Sequence, residues 1–137
     1  MYTDLLAATE RLPFVKLLVH MAMADGAIAP EELVVIEQAA TDLQVDFSPV
    51  FDIGTDYTSD LSSILAAFTS PQSKQVVLLE LVSLSHADEH YSAEEREQVG
   101  VIAGMMGVAK ARLEAVEAWV AEGVAWRKRG RELVQTA

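Results

Sequence analysis

MAMADGAIAPEELVVIEQAA, residues 21–40, returns in altered form as LSHADEHYSAEEREQVGVIA, residues 84–103. One ungapped shift of 63 residues aligns the two stretches, and acidic and apolar positions both match under it. The aligned pairs are Asp25 with Asp88, Ile28 with Tyr91, Glu31 with Glu94, Glu32 with Glu95, and Ile36 with Val99. A match of both kinds of position under one shift indicates an internal repeat, with copies at about 14–45 and 77–108.

Each copy carries the signals of a helix, a tight loop and a second helix. In the first copy Gly26 follows an apolar run, and glycine commonly ends a helix in the left-handed conformation. Pro30 then suits the first position of the next helix. In the second copy Ser92 and Glu95 have the spacing of a capping box, and Gly107 is expected to end the helix that they begin.

The rest of the chain also favours helices, because no stretch alternates convincingly as a strand would. Pro13 is expected to kink or break a helix over 3–24, and Ser48-Pro49 to open a short helix. The length of 137 residues suits one domain with a core. We therefore predict an all-α fold, a single globular domain over 1–137 with about seven or eight helices.

A last helix is expected from about Ala109, with one apolar side and two glycines that weaken it. Trp119 is interpreted as a core residue, and Trp126 as an exposed one that marks a partner surface. The apolar side comprises Leu113, Val116, Trp119, Val120 and Val124, and the glycines are Gly123 and Gly130.

Charge is distributed unevenly along the chain. The net charge is −11, but residues 1–126 carry 20 acids and 6 bases (−14), whereas residues 127–137 carry 4 bases and 1 acid (+3). An acidic body argues against nucleic acid as a partner and favours cations or a basic protein partner. The basic end complements the dipole of a helix C-terminus, or it contacts phosphate or a membrane surface.

Several classes of protein are disfavoured by what the sequence lacks. No uncharged run is long enough to span a membrane, and the first residues are acidic where a signal peptide would be basic, so we expect a cytoplasmic protein. The chain has no cysteine, which excludes disulfides and thiolate metal sites. No catalytic motif is recognisable, so we expect a protein without enzymatic activity.

The acidic residues of the repeat are candidate ligands for a divalent metal. The spacing Asp25-Gly26-x-Ile28-x-x-x-Glu32 matches the second half of an EF-hand calcium loop, although the early ligand positions of such a loop hold Met21 and Met23. If the two loops lie side by side, with Ile28 near Tyr91, they form one acidic concavity that favours a cation. It would be surrounded by Asp25, Glu32, Asp88 and Glu95, and the further candidate ligands at equivalent positions are Glu31 and Glu94. The alternative is that these side chains only cap helices and close loops.

His86 and His90 flank Asp88 with the spacing His-x-x-x-His. On a continuous helix this spacing is a common zinc arrangement. Here the helix is expected to run to about Ala87 and to end between the two histidines, which disturbs that geometry. They are kept as candidate metal ligands.

The signature Ala24-Asp25-Gly26-Ala27-Ile28-Ala29-Pro30-Glu31-Glu32 resembles the TerB-like family, the tellurite-resistance helical domain. A looser copy runs over 87–95 and is followed by Met-Gly-Val at 106–108, so the resemblance covers roughly residues 10–120. The second copy departs from it, because Glu89 replaces the glycine. A related domain occurs in membrane-anchored DnaJ-type co-chaperones, but this chain has no His-Pro-Asp motif.

The resemblance implies an all-α fold of about seven helices with an acidic surface. It also implies a metal-linked or protein-binding module in a bacterial tellurite or chemical-stress response, with Asp25, Glu32, Asp88 and Glu95 as the acidic site. We therefore expect a non-enzymatic module that binds a divalent cation or a basic protein partner. The alternatives are a metal-dependent enzyme that uses the same carboxylates and a metal-free interaction scaffold. A homodimer and peripheral association with a membrane complex are left open.

Overall fold

The computed structural model describes residues 2–23, 30–46, 61–86 and 92–136. These ranges contain a short 3-10 helix, Thr3–Leu5, and six α-helices, with no strand among them. The helices are α1 (Ala8–Ala22), α2 (Pro30–Asp42), α3 (Leu61–Ala66), α4 (Pro71–Ser85), α5 (Ala93–Met105) and α6 (Lys110–Gln135). The all-α prediction is confirmed, with six α-helices in the described ranges against the seven or eight predicted. The helix predicted at Ser48-Pro49 lies outside the described residues.

The 63-residue repeat of the sequence is also a repeat of helix boundaries. α1 and α4 each have 15 residues, and both their ends are 63 residues apart. α2 and α5 each have 13 residues and are related by the same shift at both ends. The two copies therefore begin and end their helices at equivalent positions, as the repeat predicts. An approximate twofold relation between the copies stays a prediction.

The second helix of each copy ends in the same hydrogen-bonded motif. After α5, Gly107 has φ +72°, its N–H donates to the Gly104 carbonyl at 3.1 Å, and the N–H of Val108 donates to the Ala103 carbonyl at 2.9 Å. This pattern is a Schellman motif. After α2 the equivalent residues repeat it: Gln44 has φ 58°, and the N–H of Val45 donates to the Ala40 carbonyl at 2.8 Å. A glutamine thus occupies the left-handed position that glycine fills in the other copy.

The chain divides into two compact units, 1–77 and 78–137, and α4 contributes residues to both. In the first unit α1 packs against α2 and α3. Its largest fully buried side chains are Phe14, Val15, Leu17, Val19, Ile36, Phe68 and Val77.

In the second unit α5 packs against α6, and Arg96 Nε lies 3.2 Å from Glu117 Oε2 across that pair. Its buried apolar side chains are Leu78, Leu81, Val82, Val99, Ile102, Ala103, Met106, Leu113 and Val120. The organisation as a single domain stays a prediction.

Of the kink or break expected at Pro13, the break is wrong, because α1 runs through Pro13 without interruption. A kink there stays a prediction. The chain breaks earlier, where Leu6 and Ala7 have extended backbone between the 3-10 helix and α1. Proline cannot donate to the Thr9 carbonyl, but Thr9 is exposed, so that carbonyl can bond to water. Burial of the α1 side chains that follow Pro13 then holds the helix together.

Trp119 is not a core residue, since 52% of it is exposed. The buried residues of α6 are Leu113 and Val120, which are seven residues apart and share one face. Trp119 precedes Val120 by one residue and is therefore rotated by about 100° from that face. The expected exposure of Trp126 is confirmed, at 69%.

The two left-handed caps give a stability prediction with a matched control. Gln44→Gly should raise the free energy of unfolding by about 0.5–1 kcal/mol, because glycine adopts φ 58° without the Cβ clash. Gly107→Ala should lower it by about 1 kcal/mol for the converse reason.

Gly104→Ala is the control, because Gly104 lies inside α5 only three residues before Gly107 and a Cβ there meets no atom within 4 Å. It should stabilise the chain by about 0.5–1 kcal/mol through helix propensity. Urea unfolding measures all three changes. If Gly104→Ala and Gly107→Ala shifted stability in the same direction, the left-handed cap would not be what governs this helix end.

Candidate acidic site

The glutamates of the candidate site occupy the first turns of two equivalent helices. Glu31 and Glu32 lie in the first turn of α2, and Glu94 and Glu95 lie in the first turn of α5. Negative side chains are stabilised there by the partial positive charge of the helix N-terminus. In both helices the first glutamate of the pair is exposed and the second is half-buried. The two pairs therefore have matching positions and matching exposure.

The Ser92 cap predicted from the sequence is present at the start of α5. Ser92 has extended backbone, and its Oγ accepts a hydrogen bond from the backbone N–H of Glu95 at 3.1 Å. This bond satisfies one of the N–H groups that a helix start leaves without a partner. Glu95 therefore has a capping role through its backbone, in addition to any role of its carboxylate.

Three of the eight predicted ligands lie outside the described residues, namely Asp25, Asp88 and His90. The predicted approach of Ile28 to Tyr91 lies outside them as well. Within 2–23, 30–46, 61–86 and 92–136, no three His, Asp or Glu side chains form a group that could hold a metal ion. The convergence of the two loops thus stays a prediction.

His86 follows the end of α4, because that helix ends at Ser85 and not at about Ala87 as expected. His86 therefore lies outside α4, and the rest of the His-x-x-x-His segment lies outside the described residues. The His86 ring is half-buried, and its Nδ1 donates to the Val82 carbonyl at 2.9 Å. In the neutral ring this bond places the proton on Nδ1 and the lone pair on Nε2.

Glu10 is a buried acid whose position the sequence analysis did not single out. It is only 5% exposed, and its Oε1 accepts hydrogen bonds from the Ala7 N–H at 2.7 Å and from Ser73 Oγ at 2.9 Å. Ser73 is held in turn by Ser70, whose hydroxyl accepts from the Ser73 N–H at 3.0 Å and donates to Ser73 Oγ at 2.8 Å. The carboxylate thus ends a chain of hydrogen bonds between the first turns of α1 and α4.

Glu10 and Ser73 are equivalent residues of the repeat, since the shift of 63 relates them. In the sequence, the shift of 63 therefore aligns an acid with a hydroxyl. Each of the two is the third residue of its helix. We interpret this pair as a structural contact, because each side chain provides a hydrogen-bond partner for the other in a buried position.

Comparison of the chain with protein-family models, with curated proteins and with solved structures found no match. Among the described residues, no helix is long and apolar enough to cross a membrane.

The buried Glu10–Ser73 hydrogen bond should appear as a coupling between the two residues. Glu10→Ala and Ser73→Ala should each destabilise the chain by about 1–3 kcal/mol, because each leaves a buried polar partner without its bond. The double variant should lose less than the sum, with a coupling free energy of about 1–2 kcal/mol. Urea unfolding of the four chains measures this coupling. Additive losses would mean that the two side chains contribute independently.

Proposed function

We propose that this chain is a non-enzymatic, TerB-like module of the bacterial cytoplasm. In this proposal it binds a divalent cation, or a basic protein partner, through the acidic residues of its repeat. The observation that carries the proposal is the equivalence of the two glutamate pairs. Glu31 with Glu32 and Glu94 with Glu95 occupy the same turn of equivalent helices, each a few residues after an aspartate of the aligned loops.

Physical chemistry favours a cation or a basic surface as the ligand. Within eight residues the first copy places one aspartate and two glutamates, and the second copy one aspartate and three glutamates. Carboxylates held close together repel one another unless a proton or a cation intervenes. Oxygen donors of this kind suit hard divalent cations such as calcium and magnesium, and His86 would add affinity for zinc. The charge of −14 over residues 1–126 attracts either kind of ligand over a longer range.

A role in tellurite or chemical-stress response is suggested by the resemblance of residues 24–32 and 87–95 to the TerB-like signature. Bacterial cells that produce the chain, and matched cells that do not, can be compared for growth in the presence of tellurite. Equal growth would remove tellurite from the proposal without affecting cation binding.

The cation proposal predicts a metal-dependent gain in stability. A cation that binds only the folded chain should raise the free energy of unfolding by about 2.7 kcal/mol at a free concentration of 100 times the dissociation constant. For a domain of this size the gain corresponds to several degrees in melting temperature. We would melt the chain with calcium, magnesium, manganese and zinc, each against a chelator.

Variants of the two loop aspartates separate binding from capping. Asp25→Asn and Asp88→Asn should each raise the melting temperature without metal, because they relieve repulsion, and each should abolish the metal-dependent gain. Ser92→Ala should lower stability by about 1 kcal/mol with or without metal, as loss of a cap does. Glu37→Gln and Glu97→Gln are matched controls, because both glutamates are exposed farther along α2 and α5.

Two other functions predict different results from the same experiment. A metal-free scaffold predicts unchanged melting with all four metals, and asparagine variants that are no more stable than the parent chain. That result would leave a basic protein partner as the only one of the two proposed ligands still to be tested. A metal-dependent enzyme on the same carboxylates would require turnover that chelation removes.

A further inference from the structure

The second half of α6 has no packing partner within the described chain. Every residue over 125–136 is exposed. α6 has 26 residues, so at 1.5 Å per residue it is about 39 Å long, and its last three turns lie in this exposed part. This segment is held as helix only by its continuity with the packed half of α6 and by its own helix propensity. A contact from another chain would stabilise it further.

One face of α6 carries large apolar side chains that are exposed. Trp119 is 52% exposed, Trp126 is 69% exposed, and Leu133 is 72% exposed. They follow one another at intervals of seven residues, or two helical turns. Gly123 and Gly130 lie between them on the same face. We call these five residues the outer stripe of α6; it is rotated away from the face that buries Leu113 and Val120.

The two glycines of the outer stripe are not required by packing within the described chain. A Cβ at Gly130 would meet no atom within 4 Å, and a Cβ at Gly123 would meet only the far end of Arg127, at 3.9 Å. A helix with glycine at an interior position is less stable than one with alanine there. The two glycines therefore weaken α6, and no contact within the described chain explains them. Glycine is favoured at such positions where another helix or a large side chain approaches closely, because it has no Cβ.

We propose that the outer stripe is a homodimer interface, in which α6 pairs with α6 of a second copy in antiparallel orientation. The intervals between successive positions of this face alternate between three and four residues, which is the spacing of a coiled-coil seam. The positions are 116, 119, 123, 126, 130 and 133. In an antiparallel pair, one register places Trp126 opposite Gly123 of the second copy and Trp119 opposite Gly130. The same register places Leu133 opposite Val116. Each tryptophan then fills the space that a glycine leaves, and the surface is complementary to itself, as a twofold interface must be.

Charge also favours antiparallel pairing. Glu122 and Arg129 flank the outer stripe on one side, and antiparallel pairing brings Glu122 of each copy near Arg129 of the other. Residues 110–124 carry two bases and three acids, whereas residues 125–135 carry four bases and one acid. An antiparallel pair sets the basic half against the slightly acidic half. A parallel pair would set two basic halves together and would also place glycine opposite glycine, which leaves a gap.

An anionic membrane surface fits the outer stripe less well than a second copy does. Basic residues and tryptophan on a helix are features of interfacial membrane binding. However, residues 1–126 carry a charge of −14, which an anionic surface repels. A lipid surface also gives no reason for two glycines within the apolar stripe. We therefore make membrane binding an outcome of the test.

Sedimentation equilibrium of the full chain over a range of concentrations tests the dimer. The parent chain should show a monomer–dimer equilibrium. Gly130→Leu should weaken the dimer by about tenfold or more, because the side chain occupies the space for Trp119, although leucine favours the helix. Trp126→Ala should weaken it by a similar factor. Lys128→Glu is the matched control, because Lys128 lies on the opposite side of α6 and should leave dimerisation nearly unchanged.

Charge reversal tests the orientation of the pair. Glu122→Arg and Arg129→Glu should each weaken the dimer by about tenfold, and the double reversal should restore it, because the attraction is re-formed with the signs exchanged. The chain has no cysteine, so a Glu122→Cys chain can be mixed with an Arg129→Cys chain and treated with a short bismaleimide. Antiparallel pairing should give links between the two different chains. Links mainly between identical chains would overturn the proposed orientation.

The proposal is overturned if the parent chain stays monomeric at the highest attainable concentration. It is also overturned if Gly130→Leu and Lys128→Glu change dimerisation equally. The same variants would be tested for co-sedimentation with vesicles of phosphatidylglycerol and phosphatidylcholine. A monomeric parent chain that binds these vesicles, and loses binding in Trp126→Ala, would assign the outer stripe to a membrane. None of these readouts depends on metal, so failure of the dimer leaves the proposed cation binding untouched.

Discussion

The hydrogen bond from the Val108 N–H to the Ala103 carbonyl, and its counterpart from Val45 to Ala40, end the second helix of each repeat at the same position. Each bond requires one residue in the left-handed conformation, Gly107 in one copy and Gln44 in the other. The helix stops there, and α6 can begin at Lys110, five residues after α5 ends. A connection this short keeps the two consecutive helices close, and α5 packs against α6.

The helix boundaries were largely predictable, because they depend on local chemistry that a sequence shows directly. Ser92 is a cap because its hydroxyl can reach the Glu95 N–H, and Gly107 ends a helix because it lacks Cβ. Two of the errors involve tertiary context. Pro13 suggested a break, but burial of the following apolar residues maintains the helix. Trp119 suggested a core position, although its burial depends on what packs against α6, which the residue type does not reveal.

The candidate site was predictable only in part. The repeat places Glu31, Glu32, Glu94 and Glu95 in first helical turns, and the structure has them there. Whether they act as ligands is a separate question, because the same positions are favourable for glutamate in any helix. A capping glutamate stabilises the chain in the absence of a cation, whereas a crowded ligand carboxylate destabilises it until the cation binds. The sign of the effect on stability, and not the position of the residue, therefore distinguishes the two roles. The role of Glu10 could not be predicted from the sequence either, because neither its burial nor its contact with Ser73 follows from local sequence.

The uneven charge of the chain has a physical consequence for α6. Four of its six basic residues follow Trp126 and lie where the helix no longer packs against the rest of the described chain. Positive charge near a helix C-terminus lowers the free energy of the helix through its dipole, but this effect is limited to the last turn. It does not explain Arg127 or Lys128, which lie about two turns before the end at Gln135. It also does not explain Gly123 and Gly130, which lower helix stability. A segment that keeps such costly residues next to exposed tryptophans is better understood as a surface for close approach than as a solvated helix end.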